Sequence, residues 1–420
     1  MPARLAFGLR DQHDRRRRGR WRRRGRKREE KLAVSRTDYA CGLSALWTDE
    51  PDEAAFVADV AVAAAAMGAA FALFFFSRAL FDANRLAAAI RRHAPNLKHA
   101  GCSTAGEITP VGLQEGHALA LLFPAASFTA SSALLNRVSS SGLEELSTQV
   151  GALRHELASA MPSQHAGASF AICLIDGLSY AEEAVTAAVH WRLDDIPLIG
   201  GSSGDDLEFK ATDLLFDGQV CSDAAVLVLF ATDVPFHVFK TDNFVATDDK
   251  LVVTASDASR RIVREFNAAP AVEEYASAVG LPPDGLTPLS FASHPTVVKV
   301  GGEYFCRSIQ KTNDDGSLSF FCAIDDGVVL SVARPVDMVE STEQALRAVD
   351  AQLGGADVIL GFDCVLRRLD AVNRQAFRGL SDVYRKNHVV GFGTYGEQYR
   401  SMHLNQTFTG IAFGARQAAE

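Results

Sequence analysis

The sequence predicts an α/β protein of duplicated strand-helix-strand units with Gly-rich turns, plus an antiparallel strand insertion in the C-terminal half. Three observations predict it. One pattern occurs three times, in Phe71–Glu107, Phe170–Asp206 and Asp357–Glu397: an apolar run, a helical segment, a second apolar run, then a Gly- and hydroxyl-rich turn ending in a carboxylate. Each turn is followed by another apolar run, HALALLF (117–123), AAVLVLF (224–230) and TGIAFG (409–414). Between Thr287 and Pro335 the pattern changes to short alternating runs with turn signals at Asp315-Gly316 and Asp326-Gly327. A period near 100 residues is too long for a solenoid and fits duplicated α/β units.

The elements follow in order. Residues 1–31 hold 14 Lys/Arg against 4 Asp/Glu, so this basic extension repels itself, buries no core and is expected to be disordered. Lys31–Thr37 reads as a first strand. TDEPDEA opens a helix over about Glu53–Ala66, with acids at its positive end and Pro51 close to its first turn. Residues 60–76 are 17 uninterrupted apolar residues, which raises a membrane span. The run is better split into that helix and a buried strand Phe71–Phe76, because it changes from Ala-rich to Phe-rich and carries Gly68. Ser127–Asn136 reads as a strand and Gly142–Met161 as an amphipathic helix. Asp217-Gly218 supplies a hairpin turn in TDLLFDGQVCSDAAVLVLF. A helix is stopped by Gly280 and Pro282-Pro283. The third copy carries one long helix through LRRLDAVNRQAFRGLSDVYRKN.

The whole chain carries −9, so without the +10 extension the remaining residues carry about −19, which argues against nucleic-acid binding by the general surface. Seven scattered cysteines without a CxxC suggest a reducing compartment rather than a disulfide framework or a zinc site.

The turns are the candidate ligand-binding residues: Gly101, Cys102, Ser103, Thr104, Gly106 and Glu107 in the first; Gly200, Gly201, Ser202, Ser203, Gly204 and Asp205 in the second; Thr394, Tyr395 and Glu397, beside Gly393 and Gly396, in the third. Glycine permits close backbone approach, and hydroxyls with free amides make a cradle for a polar ligand. Arg307, Arg367 or Arg368 would pair with a ligand carboxylate. There is no P-loop, HExxH or GxSxG elbow. A hydrolase using Ser202 or Cys102 would need a base that the sequence does not show. The pairs Asp205/Asp206 and Asp325/Asp326 could ligate metal or act as acid and base, although loop acids are more often solvated. Among the histidines, His403 in GEQYRSMHLNQTFTG is the first choice for a haem ligand, beside a Gly/Tyr/Glu rim; His99 and His294 rank behind it, and Cys322 is the soft alternative.

GCSTAGEI (101–108), IGGSSGDDL (199–207), LLFDGQVCSDAAVLVLF (214–230), CRSIQK (306–311), DGSLSFFCAIDDG (315–327), ILGFDCVLRR (359–368) and VGFGTYGEQY–HLNQTFTG (390–410) resemble the FIST sensory family. The resemblance implies a FIST N-like domain over 32–235 and a FIST C-like domain over 236–420. It implies a cytoplasmic ligand-binding sensor of bacterial signal transduction, not an enzyme, acting through a separate histidine kinase or cyclic-di-GMP enzyme. Its ligand would be a small polar metabolite such as an amino acid. Members that look like this chain include NosP-like sensors, in which haem b binds nitric oxide; His403 would then be the iron ligand.

Overall fold

The computed structural model describes residues 34–162, 165 and 168–416. The basic extension and the start of the first expected strand lie outside the described residues.

Three units repeat one order: lead strand, helix, strand, helix, strand, hairpin, closing strand. In the first these are Ser44–Thr48, Glu53–Met67, Ala69–Phe76, Ala83–His93, His99–Ser103, the hairpin Glu107–Thr109/Gly112–Gln114, and Ala118–Pro124. The second runs Phe128–Asn136, Leu143–Ala160, Ala168–Ile175, Glu182–Leu193, Leu198–Ser202, Leu214–Phe216/Gln219–Cys221 and Ala224–Thr232. The third begins with Phe236–Asp242, is interrupted, and resumes with Met338–Leu353, Ala356–Cys364, two helices, Val389–Thr394, Glu397–Tyr399/Met402–Leu404 and Thr407–Gly414.

Local chemistry sets these limits. Asp52 caps the first helix by accepting from Ala55 N, and Gly68 ends it in the left-handed conformation at φ 62°. The long apolar run therefore splits at Gly68 into helix and strand. Among the described residues no helix is long and apolar enough to cross a membrane. The helix expected in one piece over LRRLDAVNRQAFRGLSDVYRKN is two, Val365–Asn373 and Phe377–Lys386, because Gln375 adopts φ 60° between them. The insertion is also larger than expected. It begins at Phe244 rather than Thr287 and forms an antiparallel, near-closed, barrel-like sheet through Pro335.

The units are interlocked. In each, the two strands around the second helix pair in parallel and the closing strand pairs antiparallel. Each hairpin leaves its own sheet and extends another unit's. The first unit's hairpin pairs with Val389–Thr394 of the third, the third's with Leu198–Ser202 of the second, and the second's with His99–Ser103 of the first. The exchange closes in a ring. The inward faces of all three sheets share one apolar core that includes Phe75, Phe230, Phe392 and Phe413. Helices cover each outward face over a separate core. The fold is thus mixed α/β with several mixed sheets, and each hairpin sits under the second helix of the neighbouring unit.

Candidate functional site

The three turns meet. Ala105 N donates to Gly393 O at 2.8 Å and Gly393 N to Gly106 O at 2.7 Å; Gly204 N donates to Ser103 O at 3.0 Å, Ser202 N to Gly396 O at 2.8 Å and Tyr395 N to Ser202 O at 3.2 Å. Ser103 Oγ donates to Gly204 O at 2.7 Å. The glycines allow this approach: a Cβ on Gly393 would lie 2.6 Å from the Ala105 carbonyl oxygen, and one on Gly204 would lie 2.9 Å from Ala105 Cβ. Gly101 and Gly200 face the neighbouring strand's backbone just as closely, at Phe74 and Cys173, and Gly201 faces Thr394. These amides and hydroxyls therefore hold the units to one another.

The carboxylates are interior too. Glu107 accepts from Thr104 Oγ1 and His117 N; Glu397 accepts from Thr394 Oγ1 and from Thr407 N and Oγ1. Burial pushes each up to about 8. The register places Leu214 at the same position in the second hairpin. Asp205 closes its own loop by accepting from Phe209 N, Lys210 N and Ala211 N and from the Tyr395 hydroxyl; Ser203 Oγ accepts from Gly177 N. Cys102 is buried and its thiol is pushed well above its usual range, and Ser202 Oγ accepts from Gln398 Nε2. Among the described residues no imidazole bonds either nucleophile candidate.

Arg367 is wholly buried in the third unit, held by Asp363, Asn243 and Thr342. Arg368 closes one junction between units: it donates to Ala105 O at 2.9 Å and pairs with Glu115 of the first hairpin. Arg78 closes a second, donating to Asp213 at 2.7 Å and to Ala211 O at 2.7 Å beside the second hairpin. Both arginines follow the central strand of their unit. In the second unit that segment is Asp176–Tyr180 and contains no arginine.

The junction this leaves, where the third hairpin meets helix Glu182–Leu193, is different in chemistry. The outward-facing cross-strand pair is Ile108–Leu113 in the first hairpin and Leu215–Val220 in the second. In the third it is Gln398–His403. Both are buried, as is Asn405, which by register matches Glu115. Gln398 Oε1, His403 Nδ1 and both amide atoms of Asn405 have no hydrogen-bond partner among the described residues. Gly396 admits the His403 ring, since a Cβ there would overlap it. The insertion covers this junction: Arg261 donates to Glu182 at 2.6 Å, to Glu183 at 2.8 Å and to Phe321 O at 2.8 Å, and stacks on Tyr180 with its guanidinium carbon 4.9 Å from the ring centre. Arg307 donates to His403 O at 3.4 Å. Burial lowers the His403 pKa, against the attraction of Glu183 and Glu182.

Haem does not fit here. A porphyrin needs an apolar slot on the ligating face of the imidazole. His403 lies instead against Gly396 and among Glu182, Glu183, Arg261 and Arg307. Cys322 is buried in the same group, its thiol pushed up to about 12. His99 accepts from Gly218 N at 2.7 Å and is structural. His294 borders an open groove of about 500 Å³ with Val245, Ser293, Arg334, Pro335 and Val336. Asp326 accepts from Ser256. Among the described residues no three His, Cys, Asp or Glu side chains are placed to hold a metal ion.

The structure thus brings together the residues of the three turns, as well as His403 with Arg307, but places Arg367 elsewhere. The sequence reading missed Gln398, Asn405, Glu182, Glu183 and Arg261. A signal existed for the first: aligning the three hairpins exposes a polar pair where the other two are apolar.

A chain of interlocked α/β units with a polar junction under an inserted sheet is the class of protein this geometry defines. The sequence matches the FIST N domain over residues 70–269 and the FIST C domain over 271–400, so the chain belongs to the FIST family of sensory signalling domains, which are generally non-catalytic. No curated protein matches the sequence. Among solved structures, a cyanuric acid hydrolase from A. caulinodans is similar over 91% of this chain and 99% of its own, at 9% identity and TM-score 0.37. A second cyanuric acid hydrolase structure covers 89% and 99%, at 9% identity and TM-score 0.35. Likeness at those scores carries no argument about activity.

Proposed function

We propose that this chain senses a small polar metabolite, such as an amino acid, at the junction of the third hairpin, helix Glu182–Leu193 and the insertion. One observation carries the reading: Gln398, His403 and Asn405 are buried with unpartnered polar atoms at a position where the other hairpins are apolar. A buried polar atom without a partner costs about 1–3 kcal/mol, and a ligand that supplied the partners would remove that cost. Binding would favour one seating of the insertion and so change the surface offered to a separate cytoplasmic signalling protein, a histidine kinase or a cyclic-di-GMP enzyme.

The test is a thermal-unfolding panel of free amino acids and small carboxylates on the wild type and on Gln398→Ile/His403→Leu. The expected result is a midpoint raised by at least one compound in the wild type and unmoved in the double variant. No midpoint shift with any compound of the panel, or an equal shift in the double variant, would overturn the reading.

A further inference from the structure

The acid pair under the insertion is directly paired with a single guanidinium, and Glu183 also accepts from Ala323 N at 2.9 Å. Glu182 and Glu183 both accept from the same nitrogen of Arg261, whose other terminal nitrogen is committed to the Phe321 carbonyl. The second guanidinium in the group, Arg307, donates to the carbonyls of Cys306 and His403. The side chain of Glu182 is 4% exposed. The helix N-terminus favours negative charge there, but it supplies no cation. The unpartnered atoms add acceptors, Gln398 Oε1, Asn405 Oδ1 and, when the neutral imidazole carries its proton on Nε2, His403 Nδ1, beside one open donor, Asn405 Nδ2. Burial favours that neutral form.

We propose that this junction recognises a primary ammonium group, with the Glu183 carboxylate as counter-ion and with Gln398 Oε1 and His403 Nδ1 as acceptors for its remaining protons. An ammonium has three donors and no acceptor, which complements a site of anions and open acceptors. Alkylamines and α-amino acids share the group. A carboxylate or a neutral amide lacks the charge. The assignment rests on the junction being a ligand site, so its test must separate the two ideas.

Ethylammonium chloride is the minimal probe, compared with sodium chloride at equal ionic strength and with acetamide and sodium acetate. The full chain is followed by thermal unfolding, as wild type, as Glu183→Gln, and as Gln398→Ile/His403→Leu. Saturating ethylammonium is expected to raise the wild-type midpoint by about 2 °C or more, with no rise from acetamide or acetate. Glu183→Gln keeps the shape of a half-buried side chain and an oxygen that can still accept from Ala323 N, so it is expected to fold and lose the response. An equal ethylammonium shift in Glu183→Gln overturns the proposal. A rise from acetamide or acetate alone, lost in the double variant, overturns the ammonium assignment and leaves the junction a ligand site. No response to any probe or to the amino-acid panel overturns both.

Discussion

Two of the three junctions between units are closed by an arginine of a neighbouring unit, and the third is closed by the insertion. Arg368 and Arg78 each reach from one unit to a backbone carbonyl and a carboxylate at the neighbouring hairpin, above an apolar cross-strand pair. The third hairpin has a polar pair, no such arginine, and a cover borrowed from the insertion through Arg261. The same topology serves all three, so the fold does not require the polar groups. On the proposed reading, Gln398 Oε1, His403 Nδ1 and Asn405 are the polar groups that a binding function retains at a cost to packing.

That comparison breaks most visibly at the arginines. Arg261→Ala leaves Glu182 buried without its partner and is expected to destabilise the chain by about 3–5 kcal/mol. Arg368→Ala removes a pair whose acid, Glu115, is 77% exposed, and is expected to lose only about 1–2 kcal/mol, mostly through the Ala105 carbonyl. Urea unfolding of both variants checks this. Equal losses would mean that the insertion docks no more tightly than the surface does.

The next effect is in pH. Glu107 and Glu397 are held up to about 8 by burial, against 4.5 as the ordinary value. The folded chain therefore binds these protons more tightly than the unfolded chain. Their contribution to stability is complete below about pH 4.5 and is lost as pH rises through about 8, at up to about 1.4 kcal/mol per pH unit for each group. Urea midpoints between pH 5 and 8 are expected to fall with pH, and less steeply in Glu107→Gln or Glu397→Gln. The second hairpin has Leu214 at this position and adds nothing to the slope.

Local patterning made much of the fold readable. The Gly68 break, the Asp217-Gly218 turn and the three strand-helix-strand copies follow from residues a few positions apart. The ring of exchanged hairpins does not, because the register of Glu397–Tyr399 on Leu198–Ser202 is a contact across about 200 residues. For the same reason the turns read as an open cradle. Their glycines are consistent with close approach to a ligand, and only the partner strands show that the approach is to another turn. His403 was legible as an unusual residue in an amide-rich strand. Its acid neighbours, Glu182 and Glu183, looked like ordinary first-turn helix acids, and Arg261 like a surface residue of the insertion.

The central claim is that Gln398 and His403 are retained for binding at a cost to stability. Replacing them with the residues of the first hairpin, Gln398→Ile and His403→Leu, tests it directly by equilibrium urea unfolding without ligand. The account predicts a net gain of about 1 kcal/mol, because two buried unpartnered atoms are replaced by apolar contacts while the Gln398 Nε2–Ser202 Oγ bond is lost. A loss of stability would show that the polar pair holds the junction together, and would contradict the account.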